Sequence, residues 1–169
     1  YEEHLFITIH AARGDHGTQL TLDEVDIFFT SRAVVTVSKT GLSALDEPRS
    51  RLARAPGRLR RSPDFILYTI LDAIVDTYFP VLDRIDDQID RLEDQLFRHP
   101  TSRTLGTLFR TKRTLLHARR HIVPLRDTLN VLMRRETALV TEAVILYFRD
   151  IYDHVLRITD QIDTHRDLL

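Results

Sequence analysis

The 169-residue sequence contains no cysteine and no tryptophan, a single methionine and only five glycines. The absence of cysteine excludes disulfide frameworks, cysteine-ligated zinc sites and thiol nucleophiles. There is no phosphate-binding loop, dinucleotide fingerprint or nucleophile elbow, so the sequence is not that of an enzyme of these classes and we expect no catalysis. The net charge of −1 provides no global field that would attract nucleic acid or acidic lipid.

Long apolar runs are also missing. No stretch approaches the 18 or more apolar residues of a membrane span, and no signal-peptide pattern opens the chain. The first residue is Tyr1 rather than Met, so we expect the sequence to be a piece of a longer protein. A compact chain of this length could bury about 70% of its unfolded surface, and it needs neither disulfides nor a metal to fold.

The first 40 residues have the pattern of a small, mostly antiparallel sheet. Short apolar and β-branched runs alternate with turn signals. The runs occupy residues 4–10, 18–22, 25–29 and 33–37, and a polar turn is expected at 13–17.

An arginine-rich segment follows between Gly41 and Ser62. It is expected to contain a short helix after Asp46 and then a basic loop at Pro56 and Gly57. The cluster could bind an anionic partner, but a solvated face and linker is the simpler interpretation. Its arginines are Arg49, Arg51, Arg54, Arg58, Arg60 and Arg61.

From Ser62 onward the pattern is helical. Ser62 suits an N-cap and Pro63 suits the first helical position. Pro80 is expected to bend the helix. The apolar stripe of this helix is too long to be one wall of a globular core, so part of the helix is expected to project. Its apolar residues recur in alternating steps of four and three, which is a heptad pattern: Leu71, Val75, Tyr78, Leu82, Ile85, Ile89, Leu92 and Leu96.

Two further helices are expected after a turn at 98–102. The second runs from Ser102 to Glu136 with a kink at Pro124, and the third runs from Thr137 to Leu169. The third carries its own heptad seam, formed by Phe148, Ile151, Val155, Ile158, Ile162, His165 and Leu169. We therefore predict an α+β fold with three parts. They are part of a head with a small sheet over 1–63, a long projecting antiparallel helical hairpin over 64–136, and the start of a stalk helix over 137–169.

Charge is segregated along the helical part. Residues 64–100 carry a net charge of −6, residues 101–135 carry +8 and residues 136–169 carry −4. An acidic and a basic helix joined by a tight turn are expected to lie antiparallel, with opposite charges flanking the apolar seam. The only aromatic residue of the basic helix is Phe109, so it lacks a platform for stacking bases. We therefore expect no nucleic-acid partner.

Two groups have spacings that occur in metal sites but are better explained as surface residues. His117 and His121 lie four apart on one helix, as in a two-histidine metal face. Nearby Arg113, Arg119 and Arg120 disfavour a cation there. The acidic stretch over 86–94 lacks the glycine turn of a calcium-binding loop, so surface acids are the simpler interpretation.

A third group is a better candidate. Asp150, Asp153 and His154 lie at positions i, i+3 and i+4 of one helix, so they could meet the same cation. Alone they make a weak site, because a hard cation prefers several oxygen ligands. Another helix or a neighbouring protomer could complete it. The alternative is a solvated acidic face.

Several blocks of the sequence resemble one family. Residues 147–154, YFRDIYDH, resemble the stalk-helix segment of the CorA family of divalent-cation channels. Residues 67–79 resemble the start of that family's long cytoplasmic helix. Residues 85–93 and 124–127 resemble the two helices of its projecting hairpin. The resemblance covers almost the whole chain, and the blocks occur in the family order.

The resemblance implies a regulatory and assembly domain at the cytoplasmic face of the cell membrane. The full-length protein would be a homopentamer in which Mg²⁺ bound between neighbouring heads holds the channel closed. Asp150 and Asp72 match aspartates at that regulatory site, and Asp153 and His154 are candidate ligands beside Asp150. Mg²⁺ is expected to bind this piece weakly, and Co²⁺ or Zn²⁺ could take its place.

The resemblance also implies parts beyond the given sequence. The partner acids of the regulatory site are expected before Tyr1. The membrane spans, with a glycine–methionine–asparagine signature, are expected after Leu169. Two alternatives remain open. The domain could be a coiled-coil scaffold whose acids only aid solubility, or it could belong to a zinc-transporting relative.

Overall fold

One three-stranded antiparallel sheet forms the first part of the chain. Its strands are β1 (His4–Gly14), β2 (Leu20–Thr30) and β3 (Val34–Ser38), in the spatial order β1-β2-β3. Side chains alternate between the two faces of the sheet. One face is buried and the other is partly exposed, as the half-exposed Phe6 and Phe28 show. The computed structural model describes residues 4–14, 20–39, 43–54, 57, 62–98, 101–134 and 138–169.

Strands β1 and β2 are longer than the apolar runs indicated. The described part of the run expected at 18–22 and the run expected at 25–29 belong to one strand, β2, and Arg13 and Gly14 belong to β1 rather than to a turn. Asp23 lies in the middle of β2, and its carboxylate is 3.0 Å from Nε of Arg13. This cross-strand ion pair accommodates an acid that the pattern treats as a break. The rest of the expected turn lies outside the described residues.

The helical part contains six α-helices in the described residues. The short helix expected after Asp46 is α1, and a single 3₁₀ turn (Ser43–Leu45) precedes it. Most of the basic loop expected at Pro56 and Gly57 lies outside the described residues. The helices are α1 (Asp46–Arg54), α2 (Pro63–Asp76), α3 (Phe79–Arg98), α4 (Ser102–Ile122), α5 (Leu125–Met133) and α6 (Glu142–Leu168).

A break separates α2 from α3 just before the expected bend at Pro80. Proline has no N–H, so it cannot continue the helical hydrogen-bond ladder. The N–H groups of Thr77 and Tyr78 instead bond to carbonyls three residues back. The same two side chains reach the sheet. Thr77 Oγ1 accepts a hydrogen bond from the N–H of Ala12 at 2.8 Å, and Tyr78 OH donates to the carbonyl of His10 at 3.0 Å.

The segment Pro63–Arg98 is apolar enough, by length and composition, to cross a membrane. Its most apolar 18-residue window has a mean hydropathy of 1.6. The expectation that no stretch approaches a membrane span was therefore too simple. Because 67% of that window is buried inside the fold, the segment acts as a core helix here. Its heptad stripe is buried as expected, with only Leu96 partly exposed.

The second and third helices are shorter than expected. Pro124 ends a helix rather than only kinking it, because α4 stops at Ile122 and α5 begins at Leu125. The third helix starts at Glu142 instead of Thr137, after a turn at 138–140. The intervening residues 135–137 lie outside the described part of the chain.

Helices α3 and α4, part of the expected hairpin, pack against each other, but among the described residues no ion pair joins them. A hydrogen bond from Gln88 to Thr111 at 2.9 Å links the two helices. Helix α6 receives charges from both: Arg119 of α4 contacts Asp163 at 2.9 Å, and Asp86 of α3 contacts His165 at 3.0 Å. Helix α6 therefore forms ion pairs with both helices, in place of the direct pairing expected between α3 and α4.

The seam of α6 supplies the centre of the core. Helix α6 packs along α2, α3, α4 and α5. Five of its seam residues are fully buried, and His165 is 5% exposed. At the other end of the core, the buried faces of β1 and β2 lie against α2. The fully buried seam residues are Phe148, Ile151, Val155, Ile158 and Ile162.

Candidate metal centre

Two aspartates of α2 face one histidine of α6. Asp72 and Asp76 lie one helical turn apart, so their side chains occupy the same face of α2. The packing of α2 on α6 brings His154 against that face. One ligand atom from each of the three residues lies within 4.8 Å of the other two. Among the described residues, these three form the group of acidic and histidine side chains whose ligand atoms lie this close together.

The three side chains have different surroundings. The side chain of Asp72 is only 6% exposed, and Arg51 of α1 lies 2.5 Å from its Oδ2. Asp76 is 45% exposed, so the centre opens to solvent on this side. Nδ1 of His154 is buried and lies 3.2 Å from Oδ1 of Asp76. This ring nitrogen therefore faces the carboxylate of Asp76 and could bind a metal ion together with it.

The electrostatics of the centre favour a cation. Burial raises the pKa of Asp76, and the nearby Asp72 carboxylate raises it further. His154 and Arg51 oppose this effect only in part. Two carboxylates that disfavour each other's charge are stabilised when a cation binds between them. The guanidinium of Arg51 already neutralises part of the negative charge, so it competes with a metal for Asp72.

The sequence-predicted residues are only partly brought together. Asp72 and His154 belong to the cluster. Asp150 is exposed at the rim, with Oδ1 4.0 Å from Nε2 of His154. Asp153 is exposed and lies outside the cluster. The structure thus pairs His154 with the acids of α2 more closely than with the acids of its own helix.

Two residues of the centre were not among the sequence-predicted ligands. Asp76 could have been found from its spacing, because it lies four residues after Asp72 on the same helix. Arg51 was assigned to a solvated basic segment, whereas it contacts the buried Asp72. Nothing in the local sequence distinguishes Arg51 from its neighbouring arginines, since the contact joins residues 21 positions apart.

The donor set fits a divalent cation. Mg²⁺ is commonly held by one or two carboxylates and keeps several water molecules, which Asp72 and Asp76 could satisfy. An imidazole suits Zn²⁺ or Co²⁺ better than Mg²⁺. The three side chains do not complete a coordination sphere, so water or a further group would supply the remaining ligands.

Known proteins share both the sequence pattern and the fold. A family model described as CorA-like Mg2+ transporter protein matches residues 1–169. The cobalt/magnesium transport protein CorA of Thermotoga maritima is 33% identical over 171 residues, which cover 100% of this chain and 49% of that protein. The chain therefore spans about half the length of this curated relative.

Two solved structures have the same fold. The soluble domain of CorA from Methanocaldococcus jannaschii superposes with a TM-score of 0.83 at 22% identity, covering 99% of this chain and 67% of that one. The cytoplasmic domain of ZntB from Vibrio parahaemolyticus gives a TM-score of 0.76 at 17% identity, covering 98% and 64%. The α+β architecture is thus that of the CorA soluble domain, and the chain belongs to the CorA-like Mg2+ transporter family.

Proposed function

We propose that this chain is the regulatory and assembly domain of a divalent-cation transport channel, on the cytoplasmic side of the membrane. Mg²⁺ is the regulatory ion, and Co²⁺ can replace it. The observation that carries the proposal is the convergence of Asp72, Asp76 and His154 within 4.8 Å, at a place open to solvent. The family membership and the match to a cobalt/magnesium transport protein support this choice of ions.

The proposed mechanism is the relief of charge repulsion between neighbouring copies in a homopentamer. Asp150 stands at the rim of the centre with 63% of its side chain exposed, where a second copy could approach. Asp153 lies on the same helix and is assigned to the outer edge of the site. A bridging cation would neutralise the facing carboxylates and stabilise the closed assembly. When the ion dissociates, the population would shift toward a looser arrangement that opens the pore.

A zinc-transporting relative is the second candidate. The imidazole of His154 at the centre favours a borderline cation over Mg²⁺. The similarity of fold to the ZntB cytoplasmic domain is consistent with this choice, although at 17% identity it shows the fold alone. A coiled-coil scaffold without ion sensing remains the alternative outside transport.

The test is ion-dependent association measured by analytical ultracentrifugation. We expect Mg²⁺ to increase the association of the full-length native protein strongly and of the 169-residue chain weakly. Asp150→Ala should abolish the Mg²⁺-dependent gain. Asp160→Ala is the matched control, because Asp160 is an exposed acid on the same helix outside the centre.

The outcomes separate the candidates. Equal association of the wild type and Asp150→Ala across the Mg²⁺ titration would reject the regulatory site and favour the scaffold. A response to Zn²⁺ at concentrations far below those needed for Mg²⁺, lost in His154→Ala, would favour the zinc transporter.

A further inference from the structure

Three histidines meet at the junction of β1 and α4, away from the centre on α2 and α6. The rings of His117 and His121 have centroids 4.6 Å apart, and the rings of His10 and His121 have centroids 4.4 Å apart. His10 comes from the sheet, and the other two lie one turn apart on α4. The fold thus places His10, from a distant part of the chain, beside His117 and His121, which are four residues apart on one helix.

A hydrogen bond fixes the tautomer of the central ring. Nδ1 of His121 lies 2.9 Å from the carbonyl oxygen of His117. A carbonyl only accepts, so Nδ1 must carry the proton and donate it. In the neutral ring the lone pair is then on Nε2. Metal-ligating histidines commonly donate their second ring N–H to a carbonyl in this way, which orients the ring toward the metal.

The charges around the cluster are less hostile to a cation than the sequence indicates. Arg119 is directed away to α6, where it contacts Asp163 at 2.9 Å. On β2, the carboxylates of Glu24 and Asp26 both act electrostatically on His10, and Glu24 lies 3.9 Å from its Nε2. Lys39 contacts Glu24 at 3.8 Å, and Arg120 is the cation that acts on His117. Two acids therefore offset the basic surface of α4 at this point.

The surroundings of two of the three rings favour the neutral imidazole, which is the form that binds a metal ion. Burial lowers the pKa of His10, and the neighbouring His121 lowers it further. Burial also lowers the pKa of His117, followed by the effects of His121 and Arg120.

We propose that His10, His117 and His121 form a separate site for a borderline divalent cation of the zinc class. With Zn–N bonds of about 2.0–2.1 Å, the ring centroids in a tetrahedral three-histidine site lie about 5 Å apart, close to the two spacings that His121 makes with His10 and His117. The three rings are packed against one another rather than set around an ion. Binding therefore needs a rotation of His117, which is exposed. Three nitrogen ligands and no required oxygen ligand select against Mg²⁺.

The site is tested by calorimetric titration of Zn²⁺ into the 169-residue chain carrying His154→Ala, because the imidazole of His154 makes the other centre a competing Zn²⁺ site. We expect one Zn²⁺ per chain in this background. Loss of a group that only orients a ligand costs about 10–100-fold in affinity, so adding His117→Ala or His121→Ala should weaken binding by at least about 100-fold.

A spectroscopic readout supports the assignment. In the same background, Co²⁺ bound by imidazoles should give visible ligand-field bands that disappear when His117→Ala is added. His117 is exposed, so this variant should fold, and circular dichroism checks that it does. Failure of the His154→Ala chain to bind Zn²⁺, or equal Zn²⁺ binding when His117→Ala is added, would overturn the proposal. None of these results depends on Mg²⁺-dependent association through Asp150.

Discussion

Asp64 and Thr141 connect the beginnings of two helices that are 77 positions apart in the sequence. One carboxylate oxygen of Asp64 accepts a hydrogen bond from the N–H of Thr141 at 2.8 Å and another from its hydroxyl at 2.6 Å. The other oxygen accepts from the hydroxyl of Ser62 and from the N–H of Phe65. Asp64 is only 2% exposed, so its charge depends on these donors.

We expect Asp64→Ala to destabilise the protein by about 2–4 kcal/mol. The substitution removes bonds to a charged acceptor and leaves buried donors unpaired. Thr141→Val is the matched control, because it removes the hydroxyl and keeps the N–H, so its cost should be about 1–2 kcal/mol. Urea unfolding followed by circular dichroism measures both. A loss below that of Thr141→Val would show that Asp64 does not clamp the two helices.

Arg51→Ala should have opposite effects on stability and on ion binding. The buried carboxylate of Asp72 loses its partner, which should cost about 1–3 kcal/mol, since Arg51 itself is 39% exposed. The same change removes a competing positive charge from the metal centre. Mg²⁺ affinity should therefore rise by about 3–10-fold, measured by calorimetry. Arg49→Ala, which removes an exposed arginine of the same helix, should change neither quantity. Weaker Mg²⁺ binding in Arg51→Ala would contradict the electrostatic account.

Asp76→Asn tests the pKa of the carboxyl at the rim. Because the folded protein raises the pKa of Asp76 above its ordinary value of 3.8, the folded state retains a proton that the unfolded chain has lost. The stability contribution of Asp76 therefore decreases as the pH rises through 3.8 to the raised value. As the pH rises through this range, the free energy of unfolding of Asp76→Asn should increase relative to that of the wild type. Since the side chain is 45% exposed, the gain near neutral pH should stay below about 1 kcal/mol.

The measurement is denaturant unfolding of both proteins at several pH values. The difference in free energy of unfolding between the variant and the wild type should be smallest at acidic pH and constant above the raised pKa of Asp76. If instead the wild type gains stability on the variant as the pH rises, then the ion pair with His154 outweighs burial. Asp76→Asn should also weaken Mg²⁺ binding, because the amide carries no charge.

Ile158→Ala should strongly destabilise the core. Ile158 is fully buried in the seam of α6, and removing such a side chain costs about 2–5 kcal/mol. Leu146→Ala is the matched control on the same helix, because Leu146 is 67% exposed and its loss should cost less than about 0.5 kcal/mol. Thermal unfolding of both variants distinguishes the two positions. A similar loss of stability in both variants would show that the buried seam of α6 contributes no more to the core than an exposed position does.

The periodic parts of the fold were predictable because one local rule governs them. The heptad steps from Phe148 to Ile162 correctly identified the buried side of α6, since a spacing of 3.5 residues keeps one face toward its neighbours. The same rule found the buried stripe of α2 and α3. The arrangement of a small sheet with a helical hairpin followed from the order of these patterns and from the family resemblance.

Boundaries and long-range pairs were not predictable in the same way. The apolar runs expected at 18–22 and 25–29 left out Asp23, which lies inside β2, and its partner Arg13 is known only from the sheet register. Ser62 occupies the N-cap position of α2 as expected, but its hydroxyl donates to Asp64 and caps no backbone N–H. In both cases the partner is another side chain, on the neighbouring strand for Asp23 and two residues away for Ser62.

The candidate centre was half predictable for the same reason. Asp72 was chosen from the family resemblance and His154 from its spacing to Asp150 and Asp153, and the structure brings Asp72 and His154 together. Their distance depends on how α2 crosses α6, which no spacing within one helix specifies. The histidine cluster shows the same limit. His117 and His121 were noted from their spacing, but the contact of His10 with His121 depends on how β1 packs against α4.

The bonds from Thr77 and Tyr78 also occupy part of one edge of the sheet. Strand β1 lies at an edge of the sheet, and such an edge offers free N–H and carbonyl groups to any strand that comes alongside. The N–H of Ala12 and the carbonyl of His10 are already occupied by the helix break. A second chain therefore cannot extend the sheet at this point.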